Sequence, residues 1–130
     1  MFLLDGGNIY IHRGDSASFD IVFGEVDKTN DNQILAKDLG VTMIPEDGTH
    51  VRFSVKVDVN KIRSVIQKEY VVNNGFVTID LTSSDTSYLP FGEYQWDIRF
   101  WFTHGDIIDW NTPFNSFPFY ITKVVGNDVC

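Results

Sequence analysis

The histidines and carboxylates are the first residues to consider for chemistry. His12, His50 and His104 are scattered, and none has a second histidine or a cysteine at the spacing of a zinc site. No loop carries aspartates in the ordered spacing of a calcium site. The sequence also lacks a Gly-x-Ser-x-Gly elbow and a phosphate-binding glycine loop. We therefore expect no enzyme, no bound metal and no cofactor.

The tripeptide Arg13-Gly14-Asp15 matches a cell-adhesion motif. Three residues often match by chance, and this tripeptide lies between two strand-like segments, where a tight turn is required. The turn interpretation needs no binding partner, so we favour it over an adhesion site.

Three aromatic residues are candidates for a binding surface. Trp101 falls on the outward phase of a long alternating segment, and the irregular segment that follows supplies the others. An outward tryptophan beside a broken edge strand can serve as a protein interface or as a platform for a sugar ring. In the alternative interpretation, the following loop folds over Trp101 and buries it. The candidate interface residues are Trp101, Trp110 and Phe114.

Alternating strands must position these aromatic residues. In residues 76–81 and 92–102 an apolar side chain recurs at every second position, and residues 51–59 alternate most regularly. A period of two residues places one set of side chains in the core and the other in water. The predicted core residues are Phe19, Phe53, Val55, Ile79, Tyr94, Trp96 and Ile98.

Turn signals separate the alternating segments. Asn73-Asn74-Gly75 predicts a hairpin, because Asn-Gly tolerates the left-handed backbone of a type I′ turn. Residues 82–89 form a polar connection that would carry the chain from one sheet to the other. We expect one helical turn there, capped by Ser83 or Ser84.

The return segment after residue 102 contains two prolines. Pro113 should break it into two pieces. Pro118 lies within a strand-like run and cannot donate to a ladder, which predicts an edge strand or a bulge there.

These segments add up to about seven or eight short strands at a spacing of about 8–12 residues, with no long helix. That is the pattern of an all-β antiparallel β-sandwich. At 130 residues the chain should be a single domain over residues 1–125, followed by a flexible tail over 126–130. The single cysteine, Cys130, excludes a disulfide within the chain.

Charge and the first residues restrict partners and location. The formal net charge is −8, and an acidic surface repels phosphate groups, so we expect neither nucleic acid nor a membrane surface as partner. Residues 1–4 are apolar but lack the basic region of a signal peptide. No apolar run approaches the roughly 20 residues of a membrane span.

The order of these features resembles the immunoglobulin-like N-terminal domain of phage baseplate upper proteins and of tail accessory proteins of phages that infect Gram-positive bacteria. The shared pattern is an opening strand with a basic-Gly-Asp turn, a strand after a glycine turn, a Gly-Xaa-Val strand and a Gly-Glu-Tyr-x-x-Asp-Ile strand. The corresponding pieces are residues 9–15, 48–53, 75–81 and 90–98, which are spread along most of the chain. Residues 24–45 are longer than the family's loop.

The resemblance implies an immunoglobulin-like sandwich with a structural role in the virion. Such a protein is made in the cytoplasm of the bacterial host and assembles, as a tail or baseplate component, with other phage structural proteins or with itself. The family has no catalytic residues to carry over. The alternatives are a carbohydrate-binding sandwich that uses Trp101 and Trp110, and a capsid-decorating or adhesin-like immunoglobulin domain.

Overall fold

Ten strands lie within the described residues. The computed structural model describes residues 2–24, 27–41, 44–57, 64–104, 107–111 and 116–123, and for residues 102–104 and 107–111 it describes the backbone alone. The strands are β1 Phe2–Asp5, β2 Asn8–His12, β3 Ala17–Val22, β4 Gln33–Leu35, β5 His50–Lys56, β6 Ile66–Val71, β7 Phe76–Leu81, β8 Gly92–His104, β9 Ile107–Asn111 and β10 Phe117–Thr122. A 3₁₀ helix spans Ala36–Leu39, and a short α-helix, α1, spans Ser83–Ser87.

The strands form two sheets that pack as a sandwich. The larger sheet has the order β1-β2-β10-β8-β5-β6, and β9 pairs with the last part of β8. The smaller sheet has the order β4-β3-β7. Neighbouring strands are antiparallel, except for the parallel pairs β2–β10 and β3–β4. The prediction of an all-β, immunoglobulin-like sandwich is confirmed. The strand number is ten because it includes the short strands β1 and β4, which were not predicted.

A hydrogen bond at the start of β8 is typical of this fold. The Tyr94 hydroxyl donates to the carbonyl oxygen of Pro90 at 2.7 Å, which is the tyrosine corner of immunoglobulin-like sandwiches. Antibody domains place a disulfide cysteine two residues after this tyrosine. Here that position is occupied by Trp96, which is fully buried.

Aromatic rings from both sheets meet in the core. The Trp96 ring centroid lies 5.5 Å from that of Phe53 on β5, and the Phe53 centroid lies 6.3 Å from that of Phe19 on β3. These rings therefore connect the two sheets through the core. All seven predicted core residues are buried, which confirms the predicted phase of their strands: Phe19, Phe53, Val55, Ile79, Tyr94, Trp96 and Ile98.

Removing the hydroxyl of the tyrosine corner should weaken the fold measurably. Tyr94→Phe is expected to lower the free energy of unfolding by about 0.5–1.5 kcal/mol, because the ring stays while the bond to Pro90 is lost. Urea denaturation measures this loss. Tyr88→Phe is the matched control, since Tyr88 is 85% exposed and should show no change. Equal stability of Tyr94→Phe and wild type would contradict a structural role for the hydroxyl.

The predicted Asn-Gly turn is present, but the hairpin is not. Asn74 and Gly75 have φ values of 58° and 82°, as a type I′ turn requires. The turn is closed by a single bridge between Asn73 and Phe76. Beyond this bridge the strands separate, because β6 forms a six-pair ladder with β5 and β7 forms a six-pair ladder with β3. The turn therefore connects the two sheets.

Helix α1 carries the chain from β7 back to β8 and thus from the smaller sheet to the larger one, as predicted. Its cap is Thr82, one residue earlier than predicted. The Thr82 hydroxyl accepts from the Asp85 N–H at 3.3 Å, and the Asp85 carboxylate accepts from the Thr82 N–H at 2.7 Å. Burial raises the pKa of Asp85, but hydrogen bonds from Lys68 and Thr82 outweigh it, so the pKa is lowered overall.

The return segment is divided as predicted, with β9 ending at Asn111 and β10 beginning at Phe117. Pro113 lies outside the described residues. The prediction of an edge strand at Pro118 is wrong for β10, which lies between β2 and β8. Pro118 is tolerated because pairing with β2 begins only at Phe119, so Pro118 has a paired neighbour on the β8 side alone. The predicted tail, residues 126–130, also lies outside the described residues.

Candidate interaction surface

The outer face of the larger sheet carries the side chains that alternate with the core. Trp101 on β8 lies opposite His50 on β5. Their rings are stacked, with centroids 4.9 Å apart and planes inclined by 14°. The Arg52 guanidinium lies 5.4 Å from the Trp101 ring centroid and also contacts the Glu69 carboxylate at 3.3 Å. We call His50, Arg52, Glu69 and Trp101 the Trp101 cluster.

The Trp101 cluster continues across the sheet as an apolar row. His50 lies opposite Val71 on β6, and Val71 is 51% exposed. On the other side, the register places Trp110 of β9 opposite Trp101. The row formed by Val71, His50 and Trp101 therefore crosses β6, β5 and β8 at the end of the sheet where β5 begins.

The structure thus places the backbones of two of the three predicted interface residues next to each other. Trp101 is partly exposed, on the outward phase as predicted. The backbones of Trp101 and Trp110 lie opposite each other, and Phe114 lies outside the described residues. Sequence reasoning missed His50 and Arg52. Both lie on the outward phase of β5, but the register of β5 against β8, which brings them to Trp101, has no local signal in the sequence.

Asp97 is a half-buried carboxylate on the same outer face, opposite Ser54 of β5. Burial raises the pKa of Asp97, and the positive charges of Lys56 and Arg99 offset only part of this effect. The ionised carboxylate is therefore less stable in the folded chain than in the unfolded chain.

Asp97→Asn is expected to raise the melting temperature near neutral pH. The native pKa is raised above its ordinary value of 3.8, so the cost of ionisation is present above the native pKa and disappears as the pH falls below 3.8. The difference in melting temperature between Asp97→Asn and wild type should shrink as the pH falls over the same interval. Thermal denaturation of both proteins across a pH series measures it. A gain that is independent of pH would show that ionisation is not its cause.

The Arg13-Gly14-Asp15 segment is a turn docked on α1, which confirms the favoured interpretation. The Arg13 Nε–H donates to the Ser87 carbonyl at 2.9 Å. The Gly14 N–H donates to the Thr86 hydroxyl at 2.9 Å, and this hydroxyl donates to the Asp15 carbonyl at 3.0 Å. These contacts give the residues of the turn a structural role.

A groove of about 570 Å³ lies where β1 approaches the ends of β3 and β7. Its lining is mostly small, hydroxyl-bearing and apolar side chains, and Asp80 is the one carboxylate or histidine among them. The described lining of the groove therefore holds no pair of carboxylate or histidine side chains of the kind used in general acid–base catalysis.

Among the residues that the structure describes, no group of three or more histidine, cysteine, aspartate or glutamate side chains is arranged to hold a metal ion. None of the helices in the same part of the chain is long and apolar enough to cross a membrane.

Comparison with known protein families, with curated proteins and with solved structures found no match. The family resemblance therefore depends on the sequence motifs alone.

Proposed function

We propose that this chain is a non-enzymatic structural protein of a phage virion, a tail or baseplate component that acts through protein–protein contacts. The sequence motifs and the immunoglobulin-like sandwich support this role. The main structural observation in its favour is the row formed by Val71, His50 and Trp101 on the outer face of the larger sheet. Aromatic residues and arginine are enriched in protein interfaces. The row supplies Trp101, and Arg52 of the Trp101 cluster lies beside the indole ring.

The Trp101 cluster is suited to binding because its side chains already hold one another in place. The His50 imidazole stacks on the indole, and the Glu69 carboxylate holds the Arg52 guanidinium near the same ring. A partner that covers this surface therefore loses little side-chain entropy on binding.

Peptide mass spectrometry of purified phage particles tests the virion role. Trypsin should release residues 69–99 and 100–123 as peptides, because it cleaves after Lys68, Arg99 and Lys123. We expect both peptides at the stoichiometry of a tail or baseplate protein. Their absence from particles, with the protein abundant in the cell, would refute the virion role.

Particle assembly with variants tests the surface. Trp101→Ala should reduce incorporation into particles, whereas Gln67→Ala, an exposed change on the same face, should not. Equal incorporation of both variants would exclude the Trp101 cluster as the contact.

The carbohydrate-binding alternative has less support from the geometry. Sugar rings stack on an open aromatic face, and the imidazole of His50 already covers one face of Trp101. Binding to a cell-wall glycan that is lost in Trp101→Ala would favour this alternative over the structural role. The capsid-decorating alternative shares the fold, and mass spectrometry of separated tails and capsids distinguishes it.

A further inference from the structure

One end of the sandwich combines exposed aromatic rings with positive charge. The Arg13 guanidinium and the Lys123 ammonium each lie 5.2 Å from the Phe91 ring centroid, on which they make cation–π contacts. Phe91 is 46% exposed, and the nearby Tyr88 is 85% exposed. We call these four residues the basic end. It is unusual for this chain, which has 10 lysines and arginines against 18 aspartates and glutamates.

The opposite end of the sandwich is acidic. Glu46 and Asp47 are exposed in the turn before β5, and the neighbouring Ile44 is 61% exposed. The turn is fixed by a hydrogen bond from the Gly48 N–H to the Val72 carbonyl at 2.9 Å. Neither carboxylate forms an ion pair with any described residue. We call Ile44, Glu46 and Asp47 the acidic end.

The two ends are too far apart to meet within one chain. Gly92, at the start of β8, lies next to the basic end, whereas Trp101 lies opposite His50, three residues after Asp47. The nine steps along β8 from Gly92 to Trp101, at about 3.3 Å each, span about 30 Å. Contact between the ends therefore requires two molecules.

We propose that the basic end of one copy of this chain docks on the acidic end of a second copy. Arg13 and Lys123 would face the carboxylates of Glu46 and Asp47, and the exposed aromatic rings would cover Ile44. This inference takes its setting, an assembly of several copies, from the proposed function. Because the two surfaces differ, the contact is head-to-tail, and repetition gives a ring or a filament.

Charge sets the direction of this contact. Two basic ends repel each other, as do two acidic ends, so only the head-to-tail pairing brings opposite charges together. The aromatic rings and Ile44 supply apolar area, while the charges supply specificity. The association should therefore weaken at high salt, where exposed charges are screened.

A charge-swap experiment tests the proposal by sedimentation velocity of the purified chain at low salt. Wild type should self-associate as its concentration rises. Arg13→Glu/Lys123→Glu alone and Glu46→Lys/Asp47→Lys alone should both sediment as monomers. An equimolar mixture of the two variants should associate again, because each altered end meets an end of opposite charge.

A further variant avoids the hydrogen bond that Arg13 makes with Ser87. Tyr88→Ala removes an exposed ring that the fold does not need, so it should melt like wild type yet lower the association constant about tenfold. Association that is unchanged in Tyr88→Ala, or that is not recovered in the mixture, would overturn the proposal. A wild type that stays monomeric would also overturn it and indicate an acidic surface of another protein as the occupant of the basic end.

The sedimentation result is independent of the virion role. Association of the purified chain, with its peptides absent from particles, would refute the virion role and leave the head-to-tail contact intact. A monomer whose peptides are present in particles would refute the head-to-tail contact alone.

Discussion

Replacing Trp96 with alanine is expected to lower the free energy of unfolding by about 3–5 kcal/mol. The indole is fully buried, and its ring centroid lies 5.5 Å from that of Phe53 and 6.2 Å from that of Phe117. Its Nε1–H also donates to the Gly7 carbonyl at 2.7 Å. Alanine would leave a cavity between the sheets and remove this hydrogen bond. Urea denaturation measures the loss.

Two other variants separate the contributions of the indole. Trp96→Phe keeps a ring but loses the bond to Gly7, so its stability should fall between that of wild type and that of Trp96→Ala. Trp101→Ala removes the same side chain from a partly exposed site and should cost less than Trp96→Ala. A loss below about 1 kcal/mol for Trp96→Ala would mean that this ring does not hold the sheets together.

The second large effect is expected at Gly7, where Gly7→Ala should lower the free energy of unfolding by about 1–3 kcal/mol. A methyl group at this position would lie 2.5 Å from Cδ1 of Phe117 and 2.7 Å from Cδ2 of Leu39. Both separations are shorter than a carbon–carbon contact allows. The Phe117 ring would have to move, and it packs against Trp96. Thermal and urea denaturation measure the effect.

A double-mutant cycle tests this explanation. In a Phe117→Leu background the methyl group gains space, so Gly7→Ala should cost less there than in wild type. An equal cost in both backgrounds would show that Phe117 is not the obstacle.

Which side chains of a strand face the core was predictable, because this depends only on the sequence of that strand. Phe19, Phe53 and Trp96 each belong to a segment in which apolar residues recur at every second position. A pleated strand places such residues on one face, and here that face is buried. The pairing of strands depends on distant segments. The Asn74–Gly75 turn was correctly predicted, yet the strands on either side of it belong to different sheets. Pro118 was assigned to an edge strand or a bulge because proline cannot donate to a ladder. The central position of β10 had no local signal, because its partner β2 lies more than 100 residues earlier in the sequence.

In the candidate surface, too, local sequence predicts the direction of a side chain but not its contacts with other strands. Trp101 was predicted to point outward from its phase alone. Its contacts with His50 and Arg52 follow from the register between β5 and β8, which local sequence does not specify. The sequence does not indicate that position 7 requires glycine. A side chain there would collide with the Phe117 ring, and Phe117 lies at the far end of the described chain.

The parallel pairing of β2 with β10 has a consequence for the order of folding. Strand β10 is the last described strand, and it fills the place between β2 and β8 in the larger sheet. During synthesis the N-terminal residues leave the ribosome first. The edges of β2 and β8 that pair with β10 therefore stay unpaired until residues 117–122 have been synthesised and released from the ribosome. A nascent or truncated chain therefore exposes two strand edges that can aggregate. The long sequence separation between paired strands also makes folding slow relative to helical proteins of this size.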